Sequence, residues 1–200
     1  MANTQTAGFG LNASGVMGST PATSGQGKYW IAAADGTAIY NGELVRITAG
    51  YVVTAQAATT NPTQGVFNGC FYNDATTLKP TWVNYYPGGI TPANSEDIKA
   101  YVMDNPFQIY NVVTDAQIAA TVPLSHAKFM ETYGMNVSAT SGTASGGRSS
   151  ATLKVSAGSA NTTNQFRYLG DSEDPSNSDV TAAYATVRVV QNLNELVRNT

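Results

Sequence analysis

Apolar and aromatic residues occur along this chain in short runs closed off by Gly, Pro, Asn or Asp, the spacing of strands joined by turns. Tyr29-Trp30-Ile31 opens the first run. Asp35-Gly36 marks a turn, Ala38-Ile39-Tyr40 a second run, and Asn41-Gly42 a second turn, of the kind that tolerates the positive φ values of a tight hairpin. Leu44 to Thr48 and Tyr51 to Thr54 follow, divided at Gly50. Further strands are predicted over 65–73, bent or interrupted at Gly69, and over 80–88 between Pro80 and Pro87. Residues 98–113 hold two alternating runs split by Asp104-Asn105-Pro106, which predicts a hairpin. Pro106 has no amide hydrogen and belongs at a strand start, bulge or edge. Strands over 151–156, 165–169 and 183–190 complete the set.

Helical signals are few. Thr114 with Gln117 three residues later is a capping pattern for a short helix that Pro123 ends, with a further turn or two over 125–133. Residues 191–200 form a short helix or a tail. The pattern as a whole predicts a mainly β fold, a barrel or sandwich with few short helices, because no connection supplies the dozen-residue helix of a parallel crossover. Residues 1–27 are rich in Gly, Ser, Thr and Asn, with isolated Phe9, Leu11, Val16 and Met17. Such a segment builds no core of its own, so it is either mobile or an extended arm anchored on another surface. The expected organisation is an arm over 1–27 and a β-rich body with long Gly/Ser/Thr loops over 28–200, and a chain starting at Lys28 is expected to fold. Residues 136–150 are the best internal candidate for a linker.

Charge sharpens this picture. Charged residues make up 12% of the chain, 10 basic against 13 acidic, for a net charge of −3. With the usual share at about 25%, the surface is polar without being strongly charged. No basic run exists to hold a nucleic acid backbone, so none is expected as a partner. No stretch approaches the roughly 20 apolar residues of a membrane span, and the start MANTQTAGFG lacks a basic segment followed by an apolar one, so the chain reads as soluble and non-secreted.

Candidate chemistry is sparse. Cys70 and His126 are single, which excludes an internal disulfide and any cysteine- or histidine-rich metal site. Cys70 reads as a small buried hydrophobe beside Phe67 and Phe71, and His126 as a surface or structural residue. GTASGGRSS lacks the Lys-Ser/Thr ending of a phosphate-binding loop; Arg148 within it more naturally pins the loop to a carboxylate or carbonyl. Asp171, Glu173, Asp174 and Asp179 crowd one loop between two strands. Read as a calcium loop from Asp171, position six is Ser176 and position twelve Ala182, where Gly and Glu are required. The acids are therefore weak metal candidates and are expected to keep that connection in water. Neither a catalytic group nor a cofactor site is expected. Tyr85, Tyr86, Phe107 and Tyr110 could form a sugar or nucleic acid platform, but their spacing on strand-like runs favours core filling or subunit contact, since a base-binding platform comes with a positive groove.

Several pieces carry a resemblance: Gly8-Phe9-Gly10-Leu11, DGTAIYNGELV at 35–45, MDNPFQIYNVVTD at 103–115, GRSS at 147–150, NQFRYLG at 164–170 and AYATVRVVQN at 183–192. In this order they resemble a family of small tailed-bacteriophage structural proteins thought of as capsid decoration or cement proteins. Asn12-Ala13 stands where that family typically carries Arg-Pro, and residues 57–98 are unlike its usual pattern. The resemblance implies a non-enzymatic virion protein, made in the host cytoplasm and bound to the outer surface of an icosahedral head. It further implies the major capsid protein as partner; the low charge density and abundant aromatic residues, which lower desolvation costs at contacts, add the expectation of self-association as a trimer or dimer. Phe9, Leu11, Trp82, Tyr85, Tyr86 and Arg148 are the candidate contact residues. Two alternatives stay open: a carbohydrate- or host-receptor-binding module, favoured by a solvent-facing cluster of Trp82, Tyr85 and Tyr86, and a shell-forming subunit, which by family pattern carries a long helix.

Overall fold

The computed structural model describes residues 3–18, 25–55, 61–136, 142–143, 146–155 and 164–197. Much of the Gly/Ser/Thr-rich sequence assigned to loops, at 137–141, 144–145 and 156–163, lies outside them.

Fourteen strands are described: β1 (Asn12–Val16), β2 (Gly27–Ile31), β3 (Leu44–Thr48), β4 (Tyr51–Thr54), β5 (Gly65–Asn73), β6 (Pro80–Val83), β7 (Ile98–Met103), β8 (Gln108–Val113), β9 (Thr132–Asn136), β10 (Gly142–Thr143), β11 (Arg148–Ser149), β12 (Thr152–Lys154), β13 (Phe166–Asp171) and β14 (Thr186–Gln191). One sheet runs β1-β8-β14-β13-β9-β12; the other runs β2-β7-β5-β3-β4, with β6 also on β5. β10 and β11 form a small hairpin of their own. Among the described residues every strand-to-strand ladder is antiparallel. The fold is mainly β and sandwich-like. The second sheet curls until its end strands β2 and β4 approach each other, but they do not pair into a closed barrel.

Alternation places the cores. In β8 and β14, Tyr110, Val112, Val187 and Val189 point inward with Phe166 and Tyr168 of β13, while Arg188 and Arg167 take the other face. Leu44, Val66 and Met103 reach into this core from β3, β5 and β7, so the two sheets share it. A second core fills the curled sheet, where Val45, Phe67, Cys70, Ile98 and Val102 are roofed by Ile39 and Tyr86.

Three local readings change in three dimensions. Residues 98–113 do not form a hairpin: β7 belongs to the second sheet and β8 to the first, and the Asp104-Asn105-Pro106 turn carries the chain between them. A tight turn in the sequence specifies a reversal, and which sheet receives the returning strand depends on the competing edges. The Asn41-Gly42 turn is present, closed by the Glu43 N–H donating to the Tyr40 carbonyl at 3.1 Å, yet its flanks pair elsewhere, Ile39 with Tyr86 and β3 with β4 and β5. The α-helix is Val122–His126, with Pro123 inside its first turn. A first-turn proline loses no intrahelical bond, so it starts this helix where the sequence reading had it end one. Thr114 instead bridges Leu153 of β12, and its hydroxyl accepts from the N–H of Ala185, just ahead of β14, at 3.1 Å.

The N-terminal segment is extended, but it is anchored on this same chain. Within the segment 1–27, residues 10–16 pack on the rest of the chain: Leu11 lies fully in the shared core, and β1 is the edge strand along β8. Arg148-Ser149 and the neighbouring Asn41 likewise tie the described end of 136–150 into the fold.

Candidate contact site

Four of the six candidate contact residues meet at one junction. Its centre is the Tyr40–Glu43 turn. The Leu11 N–H donates to the Gly42 carbonyl at 2.8 Å, the Gly42 N–H to the Phe67 carbonyl at 2.8 Å, and the Asn41 N–H to the Gly147 carbonyl at 2.8 Å. The Ser149 N–H returns to the Asn41 carbonyl at 2.8 Å. Gly10 is held here at φ 75°, and a Cβ on it would lie 2.6 Å from the Gly42 carbonyl oxygen; only glycine permits that crossing. The pieces GFGL, YNGE and GRSS, far apart in sequence, thus form one clasp.

Arg148 sits over the Phe9 ring at 5.6 Å and donates from Nη2 to Asn12 Oδ1 at 2.7 Å. The acceptor is the side-chain amide carbonyl of Asn12, in line with the carboxylate or carbonyl expected from sequence, and the Phe9 ring is an added partner. Tyr85 is half-buried and stacked on Tyr40, with centroids 6.0 Å apart and planes 6° apart. Tyr86 and Leu11, expected at a surface contact, are core residues: Tyr86 is fully buried and its hydroxyl donates to the Asp35 carbonyl at 2.5 Å. Trp82 lies away from the clasp and half its surface, 50%, is exposed. The solvent-facing cluster of Trp82, Tyr85 and Tyr86 does not form.

Glu43, which the sequence reading passed over, is the buried carboxyl of the clasp. One oxygen accepts the Tyr40 N–H at 2.8 Å, and burial pushes the group up to about 7. The only legible signal was an acid immediately after an Asn-Gly turn. Cys70 is buried within the second core and its thiol is pushed up to about 12 by desolvation, the inert state of a structural cysteine. His126 is exposed at the end of α1.

The acidic loop between β13 and β14 is used for docking. Asn3 spans it, its amide donating to the Asp179 and Ala183 carbonyls at 3.0 and 2.9 Å while its oxygen accepts the Asp179 N–H at 3.0 Å. Thr4 and Gln5 both donate to Asn177 Oδ1, at 2.9 and 2.8 Å. Asp174 accepts from the Asn177 amide and the Ser176 N–H, which hold it below the usual carboxylate range. Asp179 is held low by the Thr181 hydroxyl and N–H, and Glu173 faces Arg188 at 3.6 Å. Among the described residues no three His, Cys, Asp or Glu side chains converge on a common point. Millimolar calcium is accordingly expected to leave the thermal midpoint unchanged, because a cation held by the folded state would raise it. A calcium-dependent rise that a chelator reverses would mark Asp171, Glu173, Asp174 and Asp179 as ligands.

No family model matches the chain, and neither a curated protein nor a solved structure matches it.

Two surfaces missed by the sequence reading stand out. On the outer side of the first sheet, Met17, Phe107, Met130 and Val197 surround a groove of about 300 Å³ whose remaining walls include Arg167, Val190 and Asn192. Phe107 is 57% and Val197 54% exposed. On the outer side of the second sheet, Trp30, Lys99, Phe71 and Trp82 stand in one cross-strand row over β2, β7, β5 and β6. Strict alternation already implied the second surface, since Tyr29 and Ile31 point into the core and Trp30 between them must point out. The groove had no sequence signal, because its four apolar residues come from four separate segments.

Proposed function

We propose that this protein is a decoration, or cement, protein of a tailed-phage head, docking on the major capsid protein at the outer surface of the shell and associating with itself as a trimer or dimer. The reading rests on the sequence resemblance, and the structural observation that best supports it is the open groove of the first sheet. Four large apolar side chains gathered in water at one place are the mark of a protein contact, since scattered exposed apolar residues would be unremarkable but a rimmed cluster is not. Arg167 and Asn192 at its edge, joined at 2.7 Å, supply the polar rim usual at such contacts. Bridging neighbouring shell subunits through several such contacts would reinforce their boundaries.

The competing shell-subunit reading expects a long helix, whereas the α-helix among the described residues has five residues. No catalytic role is proposed. No helix among the described residues is long and apolar enough to cross a membrane.

Electron-microscopic reconstruction of particles carrying the protein tests the proposal. Density at repeated subunit junctions, with the groove against the shell, is expected; density confined to fibre tips or the tail vertex would contradict it. A Phe107→Ser, Val197→Asp variant is expected to keep its fold and to bind particles at least about tenfold more weakly, a loss of roughly 1.4 kcal/mol.

A further inference from the structure

The chain has two tryptophans, and both stand on the outer side of the second sheet. Trp30 is 40% and Trp82 50% exposed, which leaves much of two large apolar rings in water. They occupy the ends of the row Trp30, Lys99, Phe71, Trp82, and with neighbouring strands about 4.8 Å apart the ends are separated by roughly 14 Å. That is the span of a short chain of rings rather than of one small molecule.

The row is built to stay in place. Trp82 lies against Tyr101, with centroids 5.1 Å apart and planes tilted by 57°. The benzo edge of its indole rests over Gly69, where β5 bulges at φ 153° and a Cβ would come within 2.7 Å of Cζ2. The missing side chain lets the ring lie down on the sheet and hold an orientation. Lys99 caps the central Phe71 ring at 5.3 Å, and Lys28 sits 5.6 Å from the Trp30 ring.

Beside Trp30 the face opens into a cleft of about 510 Å³ lined by Trp30, Tyr51, Glu96, Asp97 and Lys99, the size of a small-ligand site. Asp97 is fixed there, one oxygen accepting the Tyr51 hydroxyl and the other the Ala33 N–H, each at 3.2 Å. Glu96 is exposed at the cleft. Three non-glycine residues with positive φ, Ala49, Asn94 and Ser95, lie on the two loops that frame it, a concentration of backbone strain typical of binding sites.

We propose that this face binds carbohydrate: pyranose rings of an oligosaccharide stack on Trp30 and Trp82, while Glu96, Asp97 and Lys99 exchange hydrogen bonds with its hydroxyls. The chemistry of the face selects this occupant. A sugar ring has an apolar C–H side for an aromatic plane and an edge of hydroxyls that need both acceptors and donors, and the cleft supplies carboxylates and an ammonium side by side. A single-stranded nucleic acid also stacks on rings but requires a positive groove, and Glu96 and Asp97 repel its phosphates. The site lies on a different sheet from the proposed docking groove and does not depend on it.

Because both tryptophans are on this face, intrinsic fluorescence of the intact protein reads binding directly. Titration with neutral hexasaccharides of glucose, mannose and galactose and with a hexa-uronate is expected to give a saturable change with at least one of them, in the micromolar to millimolar range of Kd. A response to the uronate alone assigns Lys28 and Lys99 to its carboxylates; a response to a neutral chain assigns Glu96 and Asp97 to hydroxyls. Trp82→Ala and Glu96→Gln are each expected to weaken binding about tenfold, with the circular dichroism spectrum retained, and Phe107→Ser is expected to leave it unchanged. Absence of saturable binding across the panel at millimolar concentration overturns the proposal. So does unchanged affinity in a Trp30→Ala, Trp82→Ala variant. Loss of particle binding in that double variant, without any saccharide response of the intact protein, would make the face a protein contact instead.

Discussion

Removal of residues 1–27 is expected to cost this protein a large part of its stability. The deletion takes Leu11 out of the shared core, and burial of that side chain is complete. Truncating a buried leucine to alanine alone costs about 2–5 kcal/mol, and losing the whole segment leaves the larger void. The deletion also strips β1 from β8, so the N–H and C=O groups that Asn12 to Val16 satisfy are left on an open edge. Gly10 and Leu11 no longer close the clasp on Gly42, and Asn3, Thr4 and Gln5 no longer hold the loop at 176–183. Against a typical total of about 5–15 kcal/mol, these losses leave a marginal domain. Urea unfolding of the truncated chain is expected to show a much lower midpoint, and sedimentation is expected to show association through the bared β8 edge. Leu11→Ala should show the packing part alone, with no new association. Equal midpoints for the truncated and intact proteins would mean that the segment merely lies on the surface, as the composition of 1–27 suggested.

Stability is also expected to fall as pH rises from about 4.5 to about 7, with Glu43 as the source. The folded-state pKa of this carboxyl is raised by burial to about 7 from an ordinary value of 4.5. Between those values the unfolded chain has released the proton and the folded chain still holds it, so the folded state binds more protons and each step up in pH favours unfolding. Below about 4.5 both states are protonated and the full stability is present; above about 7 both are ionised and the loss is complete. With roughly 1.4 kcal/mol per unit, the loss amounts to about 3 kcal/mol. The Tyr40 N–H offsets part of the cost of burial and is the one hydrogen bond described to this carboxylate. Glu43→Gln keeps an acceptor for that N–H without a charge, so urea midpoints between pH 4 and 9 should lose this component of their slope and rise at pH 8. Hydrogen exchange at the Leu11 amide, which bonds to Gly42 next door, should slow in the same variant at pH 8. An unchanged slope would mean that the carboxyl reaches water when it ionises.

What could be read from the sequence was local. Alternation placed β2, β3, β4, β5, β7, β8 and β14 near their observed positions because each residue's side of a strand follows from period two. Gly69 was legible as a bend, since a glycine within an aromatic strand marks a bulge. The acidic loop was recognisable as a poor calcium site from the residues at its required positions, although nothing in the sequence linked Asn177 to Thr4 and Gln5. Partner choice was not local. Two alternating runs around Pro106 are equally good strands in one sheet or in two, and only the competition among all edges put β7 and β8 in different layers. Leu11 and Tyr86 carry the same side-chain chemistry in a core as at an interface, so their burial was settled by which surfaces closed over them. The clasp of GFGL, YNGE and GRSS required three distant backbones to cross within van der Waals distance, and the apolar groove required four separate segments to converge. Composition and periodicity therefore determined that this chain makes short strands with a weakly charged surface, whereas long-range packing decided which rings became core, which became surface, and where the buried carboxyl of Glu43 came to rest.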